Sequence, residues 1–171
     1  QAMAVVNRAF DRYLFWDARV HGLEEQAARP VIDLAEMRNT WPVVVQRLRS
    51  NEAYPPLFLK AFGTEQIDSA RVVQAIAQFE RTLLSFDSRW DRYTYGGDVG
   101  ALNEQEMHGM ELYFRQAHCN DCHKAPLFAD HALRNNGLDL FFADPGYGAI
   151  TGNPGDNGKF KVPTLRNIEV S

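Results

Sequence analysis

The only two cysteines of the chain, Cys119 and Cys122, stand three positions apart, and His123 follows directly. The stretch Cys119-Asn120-Asp121-Cys122-His123 offers three chemistries: a covalently held haem, a redox dithiol, or half of a metal site. A thioredoxin-type dithiol sits after a strand, at the start of a helix, in a βαβ setting. Here the motif follows a helical stretch, and no alternating strand pattern surrounds it. A structural zinc site needs four ligands, usually from two separated pairs. His118 and His131 could complete such a set on paper, but their spacing matches no common zinc pattern. Covalent haem uses every residue of the motif. Two thiols on one turn can add to the haem vinyl groups, and the adjacent imidazole is then presented to the iron.

An electron carrier of this type takes a second axial ligand, most often Met, from a segment after the motif. Met3, Met37, Met107 and Met110 all precede it, and the last two read as core filler in the approaching helix. His131 is the only downstream imidazole and reads as a surface residue. The segment that closes the haem pocket is therefore expected beyond Ser171. Gln1, where an initiator Met would stand, likewise reads as a cut.

These residues need elements to carry them. Apolar residues at helical spacing predict helices in residues 2–14 and in residues 40–50, with Thr40 as N-cap. The strongest helix is predicted over residues 68–86, with Val72, Ile76, Phe79 and Leu83 on its core face. Asn103 and Glu106 are in capping-box register for a helix that runs into the cysteines, with Leu102, Met110, Tyr113 and Phe114 facing a core. Gly96, Gly97 and Gly100 mark a boundary that divides the chain into domains 1–95 and 96–171. The Gly-, Asn-, Asp- and Pro-rich residues 135–163 read as an extended surface loop around something functional. The expected class is all-α, with cytochrome c-like helical domains, long irregular loops and no sheet larger than a short hairpin.

At 45% hydrophobic and 12% aromatic residues, the composition is that of a folded protein. Eighteen Lys and Arg against 22 Asp and Glu give a net charge of −4, which argues against a nucleic-acid surface. No apolar run reaches the roughly 18 residues of a membrane span, and residues 1–10 do not form a signal peptide.

Four ordered stretches, "YLFWDARVHGLEEQAARPVIDLAEM", "AIAQFERTLLSFDSRWDRY", "CNDCH" and "KFKVPTLRNIEVS", resemble the bacterial di-haem cytochrome c peroxidase family, which includes MauG-type enzymes. The resemblance implies a truncated di-haem architecture. The chain would be an internal piece, lacking the first haem motif and the distal ligand of the second haem. Ala18 and the pair Asp33-Leu34 depart from the family pattern without touching a reactive group.

The resemblance also implies roles. Glu36 becomes the acid–base group of the peroxide site and Gln26 its neighbour, although by composition both would be surface residues. Trp16 becomes the electron relay between the haems. Cys119 and Cys122 attach haem c and His123 binds its iron, while Arg166 and Lys161 become partners of the haem propionates. Asp17 and Arg19 read as a local ion pair. A second haem c, and calcium bound near Ser171, are expected only in the full-length parent.

The implied activity is periplasmic reduction of hydrogen peroxide with electrons from a small donor protein, a cytochrome c or a cupredoxin. A MauG-like enzyme that oxidises tryptophans of a partner protein is one alternative, and a mono-haem electron carrier is another. The isolated chain is expected to be inactive, and the resemblance leaves a homodimer open.

Overall fold

The computed structural model describes residues 3–169. Among them, seven α-helices carry the fold: α1 (Leu23–Ile32), α2 (Trp41–Arg49), α3 (Tyr54–Phe62), α4 (Ser69–Thr82), α5 (Arg89–Thr94), α6 (Glu104–Glu111) and α7 (Tyr147–Thr151). The only sheet among these residues joins β1 (Leu133–Arg134) to β2 (Phe160–Lys161), antiparallel. The pair is not a hairpin, because α7 and its loops lie between the strands. No described helix is long and apolar enough to cross a membrane.

Helix α4 is the spine. Asp68 caps it by accepting from the Arg71 N–H, which satisfies one of the helix's open donors. Near its start Val72 packs with Phe58 and Ile67, flanked by Trp41, Val45, Leu48, Phe62 and Ile76, which seats the α2–α3 pair. Further along, Ala77 joins Leu14, Phe15, Val20 and Leu23, so α1 packs close against a residue without bulk. Five residues turn a helix through about 140°, so the buried face changes partner along its length. Phe79, expected on the core face, therefore lies beyond the α2–α3 cover and is 64% exposed.

Two other expectations change. In the N-terminal segment only Arg8–Phe10 forms a 3-10 turn. Asn7 breaks the helical pattern: it sits at φ 61° and exchanges side-chain hydrogen bonds with the backbone of Ser85 at 3.0 and 2.9 Å. The predicted surface loop is also less plain, holding α7, β2 and a 3-10 turn at Pro154–Asp156. Thr40 stands at the N-cap of α2, but its side chain makes no capping bond. Asn103 and Glu106 do close a capping box on α6. The helix then widens into a π turn, Leu112–Gln116, before the cysteines.

Candidate functional site

The π turn ends at Ala117, His118 adopts φ 55°, and Cys119–Asp121 forms a 3-10 turn that delivers His123. The backbone N–H of His123 donates to the Cys119 carbonyl at 2.9 Å. Its ring Nδ1 lies 3.2 Å from the Phe128 carbonyl and 3.1 Å from that of Pro163. Carbonyls only accept, so Nδ1 carries the proton and Nε2 keeps a free lone pair. The Tyr113 hydroxyl donates to the His123 carbonyl. Burial, with the nearby Cys119 adding, pushes that phenol up to about 12, so it remains a donor at neutral pH. Behind the imidazole Trp90 meets the Phe128 ring edge-on at 4.8 Å, and Phe114 stacks beyond it.

His123 and Cys122 open onto a cavity of about 640 Å³, walled by Phe142, Phe160, Val162 and Pro163. Cys119 and Cys122 are free, half-buried thiols. Gly158, at φ 73°, keeps one wall close, since a Cβ there would come within 2.3 Å of the Phe142 ring.

A second cavity, of about 700 Å³, lies beside α1. Gln26 and Pro30 of α1 line it, together with Glu36 from the turn that follows and Glu80 from α4. That turn is built by Asp33, whose carbonyl accepts from Glu36 N–H at 3.2 Å and whose side chain accepts from Ala35 N–H at 2.8 Å. It presents Glu36 with an exposed side chain. Arg19 pairs with both oxygens of Asp17 at 3.0 Å, as expected, and its guanidinium covers the Phe15 ring at 3.6 Å. Trp16 borders both cavities. Its Nε1 is buried without a partner among the described residues, and its carbonyl accepts from Lys161 N–H at 2.8 Å.

The family model described as "Di-haem cytochrome c peroxidase" matches residues 1–99. This chain belongs to the di-haem cytochrome c peroxidase family. It is 36% identical to the cytochrome c551 peroxidase of Nitrosomonas europaea, over 99% of this chain and 52% of that one. It is 35% identical to the methylamine utilization protein MauG of Methylophilus methylotrophus, over 97% and 50%. Among solved structures it superposes on a MauG-like protein associated with microbial copper homeostasis with a TM-score of 0.89, at 32% identity, covering 98% and 55%. The fold is also that of the diheme peroxidase BthA from Burkholderia thailandensis, with a TM-score of 0.71 and 24% identity over 91% and 46%. The chain spans about half the length of the curated relatives it matches.

Family membership brings haem c as cofactor, and the first cavity suits it. A free Nε2, a thiol on the wall and an aromatic lining are what a flat, apolar, iron-bearing ring requires. The zinc alternative finds no support, because His118 and His131, the two that could have completed it, lie against other residues. His118 is exposed beside Asp121 at 3.4 Å, and His131 lies 3.3 Å from Asp11.

In this member of the di-haem peroxidases, both residues expected beside the haem propionates have their charge engaged by a carboxylate. Arg166 is buried and does not face the cavity. It grips both oxygens of Asp91 at 2.7 and 2.8 Å and donates to the carbonyls of Pro126 and Ser85, so its charge is spent inside the protein. Lys161 does border the cavity, but its ammonium is bound to Asp11 at 2.6 Å. Burial pulls it below the usual lysine range, with Asp11 opposing. Both side chains are buried. Arg134 of β1, which the sequence reading passed over, is the other cation on that wall. Asp11, Asp91 and Glu80 were also missed. Glu80 left a signal, an acid four residues after Ile76 on a half-buried helix stripe, and so did Asp91, three residues after Ser88 in capping-box register. The calcium site expected near Ser171 lies outside the described residues.

Proposed function

We propose that this chain is part of a periplasmic di-haem enzyme that reduces hydrogen peroxide to water, drawing electrons from a small donor protein, a cytochrome c or a cupredoxin. The observation that carries the reading is Trp16, shared by a cavity holding Glu36 and Gln26 and a cavity holding His123. Haem c, when bound, supplies redox-active iron. Cys119 and Cys122 would hold it through thioether bonds and His123 through Nε2, its ring kept in orientation by two backbone carbonyls. In the other cavity Glu36 takes a proton from one peroxide oxygen and returns it to the departing one. Gln26, which lines the same cavity, orients the peroxide by hydrogen bonding. Trp16 offers an aromatic bridge for electrons between the two sites.

The test is peroxide consumption by the full-length, haem-loaded protein with a reduced donor cytochrome. Glu36→Gln should slow it by roughly 10²–10⁴-fold, the contribution of a positioned acid–base group. An unchanged rate overturns the assignment. The likeness to MauG proteins favours a second reading, oxidation of tryptophans in a partner protein. Peroxide consumed without donor oxidation, with modified tryptophan in an added partner, would select it.

A further inference from the structure

Reducing one peroxide to two waters takes two electrons and two protons from outside. Glu36 moves a proton between the two peroxide oxygens, and that transfer imports none. Protons must therefore also come in from solvent, and a carboxylic acid on the cavity wall can carry them. Of the other carboxylates bordering it, Asp17 is held by Arg19 and Asp144 accepts from the Gly146 N–H at 2.8 Å. Glu80 differs. Its Oε2 is buried, and no donor among the described residues meets it.

The neighbouring cations are committed elsewhere. Arg8 binds Asp11 at 2.6 Å, Arg81 binds Glu24 at 2.8 Å, and Arg19 binds Asp17. An ionised oxygen in that position would be desolvated and without a hydrogen-bond donor, whereas a protonated one can donate a hydrogen bond into the cavity. Burial raises this carboxyl above the usual glutamate range against the pull of Arg81, and Glu24 adds to the rise.

We propose that Glu80 is the proton-supplying residue of this cavity, passing protons from solvent toward Glu36 while the electrons come from the donor protein. It acts through Glu36 and is a positioning residue, and the inference rests on the peroxidase reading. Each turnover takes two protons through Glu80, which is reprotonated from water after each transfer.

The experiment uses the full-length, haem-loaded protein and its Glu80→Gln, Glu80→Ala and Glu80→Asp variants. Infrared spectra across a pH titration should show the carbonyl stretch of a neutral carboxylic acid that persists above the usual glutamate range and that Glu80→Gln removes. Glu80→Gln should slow peroxide reduction by roughly 10–100-fold, less than loss of the acid–base group itself. It should also abolish the fall in rate as pH rises through the Glu80 titration. Glu80→Asp and, for Glu80→Ala, added acetic acid should restore turnover. If the wild type turns over peroxide but lacks the infrared band, or if Glu80→Gln keeps its rate and pH profile, the inference fails alone. If the wild type does not reduce peroxide, the peroxidase reading has failed first.

Discussion

The imidazole of His123 owes its usefulness to two carbonyls that belong to different parts of the chain, Phe128 and Pro163. The same economy governs Asp91. The Arg166 guanidinium beside it holds its carboxyl down to about 2 against the opposing effect of burial, and Ser88 contributes further hydrogen bonds. Because the folded value lies below the ordinary 3.8, the pair stabilises the protein above that pH. The stabilisation, about 2 kcal/mol, fades as pH falls from 3.8 towards 2. Asp91→Asn should therefore cost about 3–5 kcal/mol near neutrality, since Arg166 is left buried without its counter-charge. The urea midpoint of the variant should depend much less on pH between about 5 and 2 than that of the wild type. The Cys-His motif could be read from five adjacent residues. The fate of Arg166 could not, because its partner lies 75 positions away and only the fold brings them together.

Elements obeyed local rules where local groups decide. Asn103 and Glu106 signalled the start of α6 because a capping box needs only residues three apart. Asn103→Ala should cost about 1 kcal/mol in chemical denaturation, with Glu106 still able to hold Arg89. The π turn that follows left no such mark, nor did the break at Asn7, whose conformation is set by Ser85. Helix α4 was legible in outline. The exposure of Phe79 was not, because periodicity reports a face but cannot say how far a partner extends along it. In the C-terminal loops, Gly158 is one of three positions, with Gly146 and Gly148, where a methyl group cannot fit, and it is the one that meets Phe142 of the cavity wall. Gly158→Ala should displace Phe142 and lower haem retention at the His123 cavity. Haem content per chain after purification measures this, and full content would show that the wall yields.

At the scale of the molecule, the last strand and the residues after it bind backwards to the first half. Lys161 holds Asp11, its backbone holds Trp16, and Arg166 holds Asp91 and Ser85. Residues 96–100, between the two halves, are exposed throughout. Backbone continuity there adds little that buried ion pairs and packing do not already secure. A protease that cuts between Gly97 and Gly100 should give two bands on a denaturing gel and one particle on a sizing column. Separation of the pieces in native buffer would contradict this. The gene could then be broken at the same point, and two polypeptides made apart should find each other and reassemble, with the seam running through a stretch that neither cavity uses.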